Sequence, residues 1–243
     1  CKLFTTKSLE IMNYEEDKPI SYCGIFGIYG SETASAQAYY GLHALQHRGQ
    51  EASGIVTRSF NGDNRAHFNI VKGEGLVSEV FADHNLLTDV LFGNSAIGHN
   101  RYSTTGSAKS RKNIQPFMVN YRMGNLAIGH NGNLTNAKEL REELVNEGAI
   151  FQTTSDTEVI LHLIARSKLD NQIDQIMEAL KRIEGAYCLV ILTDDKLIAA
   201  RDPLGFRPLS LGRLEDAFLV ASETCAFDIQ RAEFLREVEA GEM

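Results

Sequence analysis

The chain has 243 residues, 43% of them hydrophobic, enough for one large domain with a full core or for two small ones. Its formal net charge of -8 argues against a nucleic-acid partner, which would need clustered Lys and Arg; the longest basic run, Lys109-Ser110-Arg111-Lys112, is short and lies in a polar stretch. No segment approaches the roughly 18 apolar residues of a membrane span and no apolar signal region opens the chain, so a cytoplasmic protein without membrane contact is expected.

Residues 1–22 are polar and aperiodic and read as a leader. The stretch Cys23-Gly-Ile-Phe-Gly-Ile-Tyr-Gly30 then predicts an apolar strand. Its glycines give up packing, which suggests that a backbone or a ligand comes close. Cys23 at its edge is either a core residue or a nucleophile. Thr33 to His47 predicts a helix, with apolar positions at Ala38, Leu42 and Leu45. Strands are expected at Gly54 to Phe60 and Ala66 to Lys72, joined by a hairpin through Asn61-Gly62-Asp63-Asn64, followed by helical turns up to Leu91.

Two further strands, Ser95 to Gly98 and Leu126 to Gly129, run into polar clusters: His99-Asn100-Arg101-Tyr102-Ser103-Thr104-Thr105-Gly106 and His130-Asn131-Gly132-Asn133-Leu134. Each is a candidate binding loop at a sheet rim, and each is equally good turn sequence. Helices are expected at Ala137 to Glu147, Thr157 to Ser167 and Gln172 to Ile183. The second is predicted to open with a capping box, Ser155 as N-cap and Glu158 reaching back. Asp156 in its first turn complements the helix dipole. The remainder reads as strands at Tyr187 to Thr193, Leu197 to Arg201, Leu209 to Gly212 and Ala217 to Ala221, with Cys188 in the core.

This order of strands, helices and strands favours an α+β fold with mostly antiparallel sheets covered by helices, and neither a dinucleotide fingerprint nor a P-loop occurs. Nothing marks an internal domain boundary. The four cysteines, Cys1, Cys23, Cys188 and Cys225, show no paired C-x-x-C spacing, so neither a disulfide framework nor a zinc site is expected, and no histidine spacing implies a metal.

Taken together and in order, Cys23-Gly-Ile-Phe-Gly, His47-Arg48-Gly-Gln-Glu51, His99-Asn-Arg101-Tyr-Ser-Thr104, His130-Asn131-Gly132-Asn-Leu134 and Ser155-Asp156-Thr-Glu158 resemble the glutaminase domain of class II glutamine amidotransferases, most closely the amidophosphoribosyltransferase branch. The resemblance covers nearly all of 23–243. It implies the N-terminal-nucleophile hydrolase fold, a four-layer αββα sandwich of two mostly antiparallel sheets, and hydrolysis of glutamine to glutamate and ammonia for the first step of de novo purine synthesis. It also implies roles. Cys23 is the nucleophile; the Asn131 side-chain amide and the Gly132 N–H form the oxyanion hole. Arg101 takes the glutamine α-carboxylate, Asp156 the α-ammonium, Thr104 gives polar support there, and Arg48 buttresses the nucleophile. His99 and His130 read, on their own chemistry, as structural residues or as supports behind the site.

The chemistry fits those residue types. A cysteine that becomes the chain terminus owns an α-amine with a reference pKa of about 7.7–8.0, partly neutral near pH 7 and able to take the thiol proton. The resemblance further implies a phosphoribosyltransferase domain beyond residue 243. That domain would bind phosphoribosyl pyrophosphate with Mg and, in some members, an iron–sulfur cluster, within a homo-oligomer; no cofactor is expected in 23–243. Alternatives are the glutaminase domain of another class II enzyme, a latent noncatalytic form that keeps its leader, and an unrelated cysteine hydrolase using His47 or His99 as base.

Overall fold

The computed structural model describes residues 23–60, 65–102 and 111–243. The expected leader 1–22, the hairpin turn 61–64 and Thr104 lie outside the described residues.

Period-two side-chain alternation decides the architecture. In strand β1 (Gly24–Tyr29), Phe26 and Ile28 join one hydrophobic cluster while Ile25 joins another; in β7 (Gly185–Thr193), Tyr187, Leu189 and Ile191 face one way and Cys188, Val190 and Leu192 the other. Both strands are buried on both faces, which is why each is an unbroken apolar run rather than an alternating one. The three clusters are therefore three interfaces between four layers.

The first layer is led by α1 (Ala34–Ala44), with short turns α2 (Val77–Val80) and α6 (Cys225–Asp228) beside it. The second is a seven-stranded antiparallel sheet. Its order is β11 (Glu233–Glu237), β9 (Ser210–Leu214), β10 (Ala217–Ala221), β1, β4 (Ser95–Arg101), β2 (Ala52–Phe60), β3 (Ala66–Glu74). Facing it across Ile25, Val56, Ile97, Ala127, Cys188 and Val190 is a four-stranded antiparallel sheet of β5 (Phe117–Tyr121), β6 (Gly124–Leu134), β7 and β8 (Leu197–Arg201). Helices α3 (Ala137–Asn146), α4 (Thr157–Arg166) and α5 (Gln172–Leu180) form the outer layer through Leu140, Val159, Ile160, Ile164 and Ile176. The expected αββα sandwich is present. Among the described residues, no helix is long and apolar enough to cross a membrane.

Several expectations need correction. The His130-Asn131-Gly132-Asn133 cluster is neither a loop nor a turn: β6 runs on to Leu134, with Asn131 opposite Cys188 and Gly132 opposite Tyr187 in β7. Likewise β4 continues through Arg101. Polar residues are tolerated inside these strands because the ladder satisfies the backbone, while His99, Asn100 and His130 find side-chain partners across the layers and Asn131 does not. The capping box at 155–158 does not form. Glu158 instead accepts from the N–H groups of Gln152 and Thr153, at 2.8 Å each, and Asp156 occupies the N-cap position. Strands β5 and β11 were not anticipated. Phe117, Val119 and Tyr121 of β5 do alternate inward, and Gly124, at φ 108°, closes the turn into β6. In β11 every residue is exposed, so no alternation exists to be seen. The first helix is shorter than expected, since its last turn tightens to a 3-10 turn at Gln46–Arg48.

Gly41, in mid-α1, is a contact point rather than a weak helix residue. An alanine there would ordinarily gain about 0.8–1.0 kcal/mol of helix propensity. Its Cβ, however, would lie 2.4 Å from Cδ2 of the fully buried Phe26 ring. Overpacking of this kind costs about 1–3 kcal/mol, so Gly41→Ala is expected to destabilise the domain. A urea midpoint at or above that of the unsubstituted chain would show that the ring can step aside.

Candidate functional site

Cys23 immediately precedes β1, the strand held between β10 and β4. Its neighbours are fixed from three directions. Ser222, just past β10, clamps Ile25 through both N–H···O directions at 3.0 Å: the Ser222 Oγ accepts from the Ile25 N–H and the Ser222 N–H donates to the Ile25 carbonyl. Arg48 donates from Nε to the Cys23 carbonyl at 3.2 Å and from Nη1 to Glu223. Gly49 lets the loop between α1 and β2 approach the end of β4, since a Cβ there would sit 2.7 Å from the Arg101 carbonyl carbon.

A cleft of about 450 Å³ opens beside the thiol, lined among others by Cys23, His99, Arg101, His130, Gly132 and Asp156. A cleft of about 610 Å³ lies elsewhere, between Tyr29, Leu197, Phe218 and Met243; its walls are mostly apolar, with Asp195, Lys196 and Glu242 among them, and hold none of the candidate residues. Size does not decide between them: of the two, only the smaller holds a cysteine together with the candidate charges Arg101 and Asp156.

Arg101 and Asp156 bring opposite charges to the same cleft. Burial alone would push the Asp156 carboxyl up, but His130 beside it, with Nδ1 3.6 Å from Oδ1, and the N–H groups of Leu134 and Thr157 hold it down to about 2. It is therefore an anion at any physiological pH. The Cys23 thiol is pushed up by burial, with the Arg101 charge pulling the other way, and it donates to the Tyr102 carbonyl at 3.8 Å. A thiol so placed needs a base before it can attack.

The histidines of the cleft are poor candidates for that base. Burial takes His99 down to about 3, and its Nε2 donates to the His130 carbonyl at 3.1 Å. The His130 Nδ1 is engaged with Thr157 Oγ1, also at 3.1 Å. His47 is not among the residues that line the cleft.

Asn131 lies on the face of β6 that carries Ala127 into the layer between the sheets, the face turned toward β1 and β4. It is fully buried, and neither its amide oxygen nor its amide nitrogen has a hydrogen-bond partner. Orphaned buried amides are rare and costly. Asn131 does not itself line the cleft, although its neighbour Gly132 does. Arg48 does not line the cleft either; it holds the Cys23 carbonyl, a buttress rather than a substrate contact.

Two groups of residues were not anticipated. Glu223 anchors Arg48 and also meets His47 at 3.0 Å. It belongs to Ser222-Glu223-Thr224-Cys225, a polar cluster directly after a strand, the same signal that marks His99 and His130. Gln115 ties strand to helix: its Oε1 accepts from the His130 N–H at 2.7 Å, and its Nε2 donates to Thr157 Oγ1 at 3.1 Å. Nothing local in the sequence distinguishes it. Three free thiols, Cys23, Cys188 and Cys225, are found among the described residues.

A family profile described as "Glutamine amidotransferase domain" matches residues 99–228. Amidophosphoribosyltransferase 2, chloroplastic, of Arabidopsis thaliana is 51% identical over 94% of this chain and 40% of its own length. Amidophosphoribosyltransferase of Bacillus subtilis (strain 168) is also 51% identical, over 91% of this chain and 45% of its own. A solved structure, glutamine phosphoribosylpyrophosphate amidotransferase from B. subtilis complexed with ADP and GMP, superposes with a TM-score of 0.82 at 49% identity, covering 90% of this chain and 46% of that one. The chain thus spans less than half the length of each of these three relatives.

Proposed function

This chain belongs to the class II glutamine amidotransferases, and from that premise we propose that it hydrolyses glutamine to glutamate and ammonia with Cys23 as nucleophile. The observation that carries the reading is the meeting, in one cleft, of the Cys23 thiol with the oppositely charged Arg101 and Asp156, a pair suited to the two ends of a free α-amino acid. Arg is fitted to a carboxylate because its planar fork can hold both oxygens. Asp156, kept ionised, suits an ammonium.

Attack by the Cys23 sulfur on the side-chain amide would throw negative charge onto the amide oxygen. The Asn131 amide and the Gly132 N–H are assigned to receive it, and the unpartnered state of Asn131 is what such a donor would show before substrate arrives. Thr104 is assigned polar support at the amino-acid end. Collapse expels ammonia, leaving a thioester that water cleaves to glutamate.

In the longer protein that its relatives represent, the ammonia would pass to phosphoribosyl pyrophosphate on a phosphoribosyltransferase domain. Magnesium, an iron–sulfur cluster where one occurs, and homo-oligomer contacts would belong to that larger assembly. The cytoplasm suits this chemistry, as would the chloroplast named for the plant relatives. A cysteine hydrolase using histidine as base is disfavoured by the low pKa of His99 and by the place of His47 outside the cleft.

The recognition half can be tested in a chain that starts at Cys23. Asp156→Asn keeps an acceptor for the Leu134 N–H while removing the charge. Losing one member of a buried charge pair costs about 2 kcal/mol or more, roughly a thirtyfold rise in KM for glutamine. Arg101→Lys is expected to weaken glutamine binding too, since it keeps the charge but loses the fork. Unchanged glutamine affinity in both variants would remove the assignment.

A further inference from the structure

His47, Glu223 and Cys225 come together on the outer side of the Arg48 buttress, away from the cleft. His47 stands 176 positions from Glu223, which is two from Cys225, and it meets them because the end of α1 packs against the turn after β10. Each offers one ligand atom, and these atoms all lie within 4.8 Å of one another. The Glu223 Oε2 is 3.0 Å from His47 Nε2 and 3.9 Å from Cys225 Sγ. Zn–N, Zn–O and Zn–S bonds of 2.0–2.3 Å in a tetrahedron put ligand atoms about 3.3–3.7 Å apart, so the observed separations bracket what one ion would impose.

A second observation is the orientation of the ring. The His47 Nδ1 is 3.1 Å from the Ala44 carbonyl. A carbonyl can only accept, so Nδ1 carries a hydrogen. Nε2 is then aimed at the Glu223 carboxylate, 3.0 Å away, a contact that a positive charge between the two atoms satisfies, whether a proton on Nε2 or a metal ion. A ring whose Nδ1–H is fixed on a backbone carbonyl, with Nε2 presented outward, is also how metal-ligating histidines are oriented. The carbonyl is that of the last residue of α1, so the negative end of the helix adds to the attraction. Arg48 is on the other oxygen, Oε1, and leaves Oε2 to this side.

We propose that His47, Glu223 and Cys225 form a binding site for one zinc-class divalent cation, with water as fourth ligand. Sulfur and imidazole nitrogen favour zinc or cobalt over magnesium or calcium. The His47 side chain is 55% exposed, so the ion has an entry path and the fourth position faces solvent. Binding replaces the S–H bond of Cys225 with a metal–sulfur bond, and the proton leaves to solvent. The ion would hold Glu223, and through it Arg48 and the Cys23 carbonyl, without touching the cleft.

The test uses the whole chain carrying Cys1→Ala and Cys23→Ala, so that Cys188, fully buried, and Cys225 are the remaining thiols. Cobalt(II) chloride is titrated in and followed by absorbance. One equivalent should bring up tetrahedral visible bands and a thiolate-to-cobalt charge-transfer band, both bleached by zinc. Cys225→Ser should abolish the charge-transfer band, and His47→Gln, at an exposed position that does not threaten the fold, should abolish stoichiometric binding. Circular dichroism checks that each variant is folded. No charge-transfer band, or one that survives in folded Cys225→Ser or His47→Gln, would overturn the proposal. So would a nuclear magnetic resonance spectrum showing protons on both His47 nitrogens in the presence of one equivalent of zinc. The readout is independent of glutaminase activity, so failure here leaves the reading of the cleft untouched.

Discussion

A chain that begins at Cys23 is expected to hydrolyse glutamine orders of magnitude faster than the chain carrying residues 1–22. The thiol is raised by burial and so is protonated near neutral pH, which makes a base indispensable. Among the described residues around it, burial takes His99 to about 3, and the Asp156 carboxylate, at about 2, is far too weak. A terminal amine at Cys23, with a reference pKa of about 7.7–8.0, matches the task, because a good general base titrates close to the working pH. While the bond from Tyr22 is intact, the same nitrogen is an amide whose lone pair is delocalised into the carbonyl. Cys1 owns an amine if it is terminal, but it lacks the Gly-Ile-Phe-Gly strand that sets Cys23 at the cleft. The comparison is made on both forms, each verified by intact mass, with Cys1→Ala and Cys23→Ala in each. Cys23→Ala should abolish activity and Cys1→Ala should leave it unchanged. Full activity in an intact long form would refute the terminal-amine mechanism whatever the fold.

Asn131→Ala should cost 10²- to 10³-fold in kcat, about 2.7–4 kcal/mol of barrier, with KM for glutamine nearly unchanged. The separation arises because the amide acts on charge that exists only in the transition state, whereas Arg101 and Asp156 hold the ground-state ends of the substrate. The structure adds a second expectation. Most buried amides stabilise a fold through their hydrogen bonds, but both polar atoms of Asn131 lack partners. Removing them therefore relieves a desolvation cost, which offsets part of the cavity left behind, and the denaturant midpoint should move little. A kcat within threefold of the parent, or a loss of activity that merely follows a loss of stability, would take Asn131 out of the oxyanion hole.

How much of this was legible in the sequence differs by scale. The two-sided burial of β1 and β7 is written as apolar runs, and the helices over α3 to α5 as periodic stretches, so the layers could be anticipated. The motifs brought Cys23, Arg101, Gly132 and Asp156 to one cleft as expected. What failed was the reading of polarity as looseness: the His130-Asn131 cluster looks like turn sequence, yet it is the interior of an eleven-residue strand. Propensity lost there to ladder pairing and to buried partners such as Gln115. Glu223 could not be foreseen as the anchor of Arg48, because 175 positions separate them and only the packing of α1 on the sheet closes the gap. For the same reason no spacing rule could find the His47, Glu223 and Cys225 group.

The central place of β1 has a consequence in time. Its residues pair on one side with β4, but on the other with β10, where Phe26 meets Ala221 and Tyr29 meets Phe218. During synthesis the strand next to the nucleophile is made nearly 200 residues ahead of its second neighbour. At about 5–20 residues per second, a ribosome needs roughly 10–40 s to cover the nearly 200 residues between them. Until then Ile25 lacks its Ser222 clamp and Arg48 lacks Glu223. The nascent chain thus carries Cys23 without the frame that aims it until the strand that closes the far side of β1 has been translated.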